Sequence, residues 1–377
     1  MRSGEKRGFL VRASHLLVLC GFAVAQPLFD LLSRYPEFFV ARQSEPIDLI
    51  LLALTLSLGV PGLLVSVVGL GRLLSPKTGW LAHLGVLTIL LFTIALQMLK
   101  RLTEIPVGVT LFLSLAAAVT ICLTYVRFRS ARTYLTILLP TTLLFPAMFF
   151  FDSRISQIVT NNAVEVQRVD VDSTTPVVLV VLDELPLISL LNAERQIDPV
   201  QYPNFADLAK QSHWFRNATS VSDSTLLSIP AILTGRYPKL GPPSLPTASN
   251  YPQTLFTLLG SSYHLEVFED MTRLFTGTVT RESWLQRIGN LVSDLSVVYF
   301  HVLLPEDLTK DLPQVTRTWK NFSGQDLSPA ENRVSKVKTI KDFQSSAADR
   351  AGQFEEFIDS IHSQETPTLY FLHSGLP

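Results

Sequence analysis

The sequence predicts a two-part fold: an N-terminal α-helical membrane domain of about five spans, then an α/β domain built on a mostly parallel sheet. Three observations carry this expectation. Nearly all the long apolar runs of the 377-residue chain fall in residues 1–151, whereas 152–377 is polar, charged and punctuated by proline. Each run is close to the roughly 20 residues that cross a hydrocarbon layer. Beyond Asp152, short strand-like runs alternate with helical periods, the pattern of strands joined through helices into a parallel sheet.

The candidate spans are 13–33, 48–74, 79–99, 106–126 and 133–151. The first follows a basic segment, as a secretory leader does, but it stays apolar through Leu32 and is read as an anchor. An odd number of spans puts the chain's two ends on opposite sides. Arg2, Lys6, Arg7, Arg12, Arg72, Lys77, Arg127, Arg129 and Arg132 fall on one face, and Arg34, Arg42, Lys100, Arg101 and Arg154 on the other. Nine basic residues against five predict a cytoplasmic N-terminus and an external C-terminal domain.

The sequence therefore divides into a transmembrane domain at 1–151, a linker at 152–175 and an α/β domain at 176–377. In the last, strands are expected at Val177–Leu182, Trp214–Asn217, His264–Phe268 and Thr368–His373. Helices are expected from an Asn204 cap to Gln211, over Leu226–Leu233, over Pro252–Leu259 with a stop at Gly260, and around Ala347–His362. Leu240–Ser249 and Trp319–Ser335 read as loops, and the apolar stretch Leu295–Leu308 reads either as a membrane-surface segment or as a buried element.

Composition narrows the function. With 31 Lys and Arg against 32 Asp and Glu, and no basic aromatic stripe, the chain lacks the electrostatic footprint of a nucleic-acid binder. Both cysteines, Cys20 and Cys122, lie in apolar runs, so neither a disulfide nor a cysteine nucleophile is expected in the α/β part.

The chemistry concentrates in two segments. PVVLVVLDELP stops a buried-strand run at Asp183 and Glu184, placing carboxylates where open α/β sheets keep their sites. Carboxylate oxygens suit hard divalent cations. Some forty residues later, TLLSIPAILTGRYP opens a helical run on Thr225, whose hydroxyl would sit where backbone N–H groups and the helix dipole favour an anion. Each residue also has a plain reading: the acidic pair as a strand terminator, Thr225 as an N-cap in competition with Ser222, Asp223 and Ser224, and Ser228 as a side chain bonded back into its helix.

These segments resemble the sulfatase branch of the alkaline phosphatase superfamily. The end Leu233, Thr234, Gly235, Arg236, Tyr237, Pro238 matches that family's LTG-R-YP, which sets Thr225 at the nucleophile position and Ser228 at the family's second serine. YPNFADLAKQSHWFRNATS, Tyr202–Ser220, is similar to the family's TPNLDRLA segment. Threonine cannot give the formylglycine aldehyde of the main sulfatases, and the pattern of Thr225, Ser228 and Pro230 looks more like membrane-bound phosphoethanolamine transferases and lipoteichoic acid synthases. The family's GKWH-like lysine segment has no counterpart; HLEVFEDMTR, His264–Arg273, stands in its place.

The resemblance implies a metalloenzyme of a bacterial-type inner membrane, multi-pass, with its catalytic domain on the periplasmic or extracellular side. Thr225 would be the nucleophile and Asp183, Glu184 and Thr225 the ligands of a divalent metal (Zn, Mn, Mg or Ca), with Ser228 and Asn217 near the substrate. Arg236 and Tyr237 would order the turn after the helix. The substrate would be a phosphate ester, or less fittingly a sulfate ester, on a membrane lipid or envelope glycan. The family continues after YFLHSG into a further histidine and an Asp-His metal pair, so the α/β domain is expected to be incomplete at Pro377 and the 377-residue chain inactive by itself. Two other classes stand beside this one: a catalytically dead module that binds envelope glycans, and a membrane scaffold or transporter. The spans argue against transport, carrying little charge beyond Arg12, Asp30, Asp48 and Arg72 near their ends.

Overall fold

The computed structural model describes residues 3–101, 105–160, 169–183, 185–239, 244–269, 271–277, 284–310, 312–313, 315, 322 and 352–375. Five helices among them are long and apolar enough to cross a membrane: Arg7–Arg34, Pro46–Leu74, Pro76–Leu99, Val107–Arg127 and Arg129–Phe151, here spans 1 to 5. Beyond them, in chain order, come strand β1 (Val177–Asp183), helices α1 (Pro203–Gln211), α2 (Thr225–Thr234) and α3 (Leu255–Leu259), strand β2 (His264–Phe268), helix α4 (Trp284–Leu303), helix α5 (352–360) and strand β3 (Thr368–Gly375). Each predicted span overlaps an observed one, so the molecule has the multi-pass helical part that its apolar runs announce.

The chain forms two compact units, 1–161 with 282–325 and 162–281 with 326–377. This departs from the sequential division at 151 and 176: a segment inside the expected α/β domain belongs with the spans. The reason lies in α4. Leu291, Asp294, Leu295 and Val298 are buried at helical spacing, while Val292 and Phe300 on other faces are exposed. The stripe also carries Asp294, which forms a buried ion pair with Arg42 and accepts the Phe322 N–H at 2.8 Å. Arg287 of the same helix lies 3.1 Å from Glu45 and 3.5 Å from Asp48, and Tyr299 donates to the Ala23 carbonyl at 3.0 Å. That carbonyl belongs to a π-helical turn, Gly21–Ala25, inside span 1, and it also accepts from Gln97 at 2.8 Å. A π-turn breaks the regular helical ladder, and the two side-chain donors satisfy a carbonyl within it. Within Leu295–Leu308, Leu295, Val297 and Val298 are buried and Phe300 and Leu308 are exposed.

The core of the spans draws Leu16, Leu19 and Ala23 from span 1, Leu87, Leu90 and Leu91 from span 3, and Ala118 from span 4, with both free cysteines buried in it. Spans 2 and 3 form a tight hairpin turned at Ser75, whose side chain accepts the Thr78 N–H. Gly79 makes the close approach possible: a Cβ there would lie 2.7 Å from Arg72 Cβ and 2.8 Å from Arg72 Cα. Backbone cannot step aside as a flexible side chain does. Gly79→Ala is therefore expected to lower stability by about 1–3 kcal/mol, read as thermal unfolding in detergent. Gly85→Ala in the same span, with open space around its Cβ, should not.

The second unit is built on a three-stranded parallel sheet of order β1-β3-β2. Central β3 is buried from Thr368 to Ser374, as expected where helices cover both faces. Leu369 and Phe371 meet Ile229 and Leu233 of α2 and Phe256 and Leu259 of α3 on one face. Tyr370 and Leu372 meet Phe357 of α5 on the other. Strand alternation thus assigns odd-numbered positions of β3 to the α2 face. The register Val181↔His373 and Asp183↔Gly375 carries that assignment to β1, where Val177, Leu179 and Val181 pack into the same cluster.

Local differences have local causes. Trp214–Asn217 is an exposed loop with a turn at 216–217 rather than a strand, because its side chains are exposed and it joins no sheet. Helix α1 starts at Pro203 with Tyr202 as its N-cap, two residues before the Asn204 cap expected, because proline suits the first helical position. The expected loop at Trp319–Ser335 lies outside the described residues apart from Phe322.

Candidate functional site

Three strand ends converge on one edge of the sheet. Asp183 closes β1, Glu269 follows β2, and His373 lies near the end of β3, all at the carboxyl ends of parallel strands. Each has odd parity with the residues that pack toward α2, which puts them on one face. Helix α2 begins over that face. Its N-cap is Ser224, in extended conformation, and Thr225 is its first helical residue. The N-cap reading of Thr225 is thereby replaced: the Thr225 hydroxyl donates to Asp183 Oδ2 at 2.6 Å. At its far end α2 is closed by Gly235 at φ 66°, a left-handed cap that gives the glycine of LTGRYP its role. Arg236 then ties the turn down through Gln253 at 2.7 Å, while Tyr237 is exposed.

Asp183 also faces His373, whose Nε2 lies 3.6 Å from Asp183 Oδ2, an ion-pair separation beyond direct hydrogen-bond reach. The other ring nitrogen, Nδ1, lies 3.2 Å from Glu269 Oε1. Glu269 is itself held by the Met271 and Thr272 N–H groups at 2.9 and 2.8 Å and by the Thr272 hydroxyl at 2.7 Å. The result is a continuous polar line, Thr225–Asp183–His373–Glu269, running from the half-buried helix start into the core. Burial pushes the His373 imidazole toward neutrality, but the Asp183 and Glu269 carboxylates outweigh it and hold its pKa at about 9.

That raised value fixes a pH dependence. A folded pKa above the ordinary 6.5 stabilises the fold through the protonated form. The contribution, on the order of 3 kcal/mol, is fully present below pH 6.5 and is lost as pH rises through about 9. The expected observation, in chelator-treated protein, is an imidazole resonance of His373 that titrates near 9 and disappears in His373→Gln. Titration at or below the ordinary histidine range would contradict the ion-pair assignment.

The other predicted residues divide. Ser228 is half-buried on α2, one turn beyond Thr225, and its hydroxyl bonds to no described residue, so the back-bonded reading does not apply. Asn217 is exposed and hydrogen-bonds none of Thr225, Asp183 or His373. Glu184 lies outside the described residues. Glu269 and His373 are members of the line that the sequence reading did not assign. A signal was present, since VFED at the end of β2 repeats the strand-then-acidic-pair pattern of VLDE at the end of β1.

Asp183 and Thr225 offer adjoining oxygen donors of the type a hard divalent cation takes. His373 Nε2 is buried without a hydrogen-bond partner beside them. Among the described residues no group of three or more His, Cys, Asp or Glu side chains is arranged to hold a metal, so the donors fit part of a coordination shell. No family model, curated protein or solved structure gives a significant match to the chain.

Proposed function

We propose that the protein is a membrane-anchored enzyme of the sulfatase type that cleaves or transfers a phosphate ester on an envelope lipid or glycan through a covalent Thr225 ester, with its α/β unit on the outer side. The observation that carries the reading is the 2.6 Å hydrogen bond from Thr225 to Asp183 at the start of a helix over the carboxyl end of a parallel sheet. Supporting it are the five spans, as a membrane-anchored enzyme would have, and the register from Thr225 to LTGRYP.

In the first step the Thr225 oxygen attacks phosphorus in line, its proton passes to Asp183 and on to the leaving oxygen as the bond from that oxygen to phosphorus breaks. In the second, water or an acceptor hydroxyl gives its proton to Asp183 as it attacks the same phosphorus, and the departing Thr225 oxygen takes that proton back. Charge on the phosphoryl oxygens meets the positive end of α2. Asp183 and Thr225, with Glu184 by resemblance, would hold a divalent cation whose chemistry is to acidify the hydroxyl. His373 acts as a positioning residue: anchored through Glu269, it fixes and electrostatically loads Asp183.

The test is to incubate the full-length membrane protein with a phosphoethanolamine- or glycerophosphate-bearing lipid and a divalent cation, then map peptides by mass spectrometry. A phosphoryl-type adduct on Thr225 is expected. Turnover with the adduct on another residue, or with none on acid quench, would overturn the covalent route.

A further inference from the structure

The end of the first unit that carries Arg7, Arg12, Arg129 and Arg132 contains an open cavity of about 690 Å³ lined by Arg7, Arg12, His15, Trp80, Tyr125 and Arg132. A second hollow of about 510 Å³ shares Val11 and Arg132 with it and adds Arg129, Thr133 and Thr136. From these features we infer a binding site for the phosphate headgroup of an anionic lipid, separate from the Thr225 site.

Charge is the first argument. Among the described residues none of the four arginines has a carboxylate partner, whereas Arg34, Arg42 and Arg287 elsewhere in the same unit each have one. Arg12 is held in place: its Nε donates to the Gly8 carbonyl at 3.2 Å and its guanidinium lies over Trp80 at 5.4 Å. Guanidinium groups that line a hollow and have no carboxylate partner among the described residues present the forked donors that phosphate oxygens accept bidentately.

Beneath the arginines runs a buried polar chain. His15 Nε2 lies 3.0 Å from the Thr136 hydroxyl and His15 Nδ1 2.9 Å from the Tyr125 hydroxyl, which in turn lies 3.0 Å from His83 Nε2. These contacts join spans 1, 3, 4 and 5 at one level. Both imidazoles are fully buried, and His83 Nδ1 has no hydrogen-bond partner. Polar side chains inside spanning helices are costly and accompany function; here they fix the floor of the cavity.

The source of the phosphate follows from the surroundings. Leu10 beside Val11, and Tyr134 and Ile137 beside Thr133 and Thr136, are exposed apolar side chains on the two spans that line both hollows. They offer acyl chains an apolar surface next to the basic pocket, the arrangement by which helical membrane proteins hold anionic lipids.

The full-length protein in nanodiscs of phosphatidylglycerol or phosphatidylcholine, examined by native mass spectrometry, tests this. Phosphatidylglycerol retention is expected to fall about tenfold or more in Arg12→Gln/Arg132→Gln and to fall less in Arg12→Lys/Arg132→Lys, which keeps the charge and loses the fork. Val11→Trp, which fills the shared wall and keeps every charge, should also lower it, whereas Arg34→Gln/Arg154→Gln should not. Equal retention of the two lipids, or retention indifferent to Val11→Trp in folded protein, overturns the site. Variant-sensitive binding of inorganic phosphate without selective lipid retention overturns the lipid assignment.

Discussion

On the proposed covalent route, Thr225→Ala is expected to reduce phosphate-ester turnover by about 10³-fold or more, because a nucleophile acts as part of a unit whose loss is not compensated by its neighbours. Lipid binding should persist, while cation binding should weaken because the Thr225 oxygen is one of the donors that would hold the metal. Thr225→Ser should keep most of the activity: the donor to Asp183 at 2.6 Å is retained and the missing methyl group takes no part in the chemistry. Asp183→Asn should fall nearly as far as Thr225→Ala, because an amide neither accepts the proton nor pairs with His373. The measurement is the initial rate of release of the phosphorylated headgroup from labelled lipid. Unchanged turnover in Thr225→Ala would remove the nucleophile assignment, whereas glycan binding by both proteins with turnover by neither would favour the glycan-binding module.

Asp294→Ala is expected to destabilise the first unit by about 3–5 kcal/mol, the cost of leaving the other half of a buried ion pair without its counter-charge. Both side chains of the Arg42–Asp294 pair are almost inaccessible, at 7% and 1% exposure, so water cannot replace the lost partner. Asp294→Ala also orphans the Phe322 N–H. The double variant Arg42→Met/Asp294→Leu should recover most of the loss, because a well-packed apolar pair removes the charge and its desolvation together. Thermal or denaturant unfolding of the purified protein in detergent reads the effect, with exposed Ser296→Ala as the neutral control. A loss no larger than that of Ser296→Ala would show that α4 is not held by this pair.

How much of this was legible beforehand differs from element to element. The five spans, β1, β2, β3 and α2 stand close to where apolar period and turn chemistry put them, because each is specified by local pattern: length for the spans, β-branched runs for the strands, a glycine cap for α2. Thr225 and Asp183 were readable for the same reason, each sitting at the end of an element whose limits are local. Trp214–Asn217 shows the limit of such reading, since its aromatic pair signals a strand only where a sheet edge is at hand to receive it.

The sequence by itself determined that the chain has a part with five long apolar helices and a parallel-sheet part, and that Asp183 and Thr225 stand at a strand end and a helix start. Tertiary structure alone decided three things. Strand order β1-β3-β2 made His373 central, between Asp183 and Glu269, although 104 residues separate it from Glu269. A buried face on α4 drew 282–325 to the spans, because Asp294 and Arg42, distant in sequence, are each too costly to bury alone. Packing of spans 1, 3, 4 and 5 brought four arginines around two adjoining hollows, three at the first and two at the second with Arg132 shared. Each depends on long-range register, and the period of an amphipathic segment says which face is buried but not what buries it.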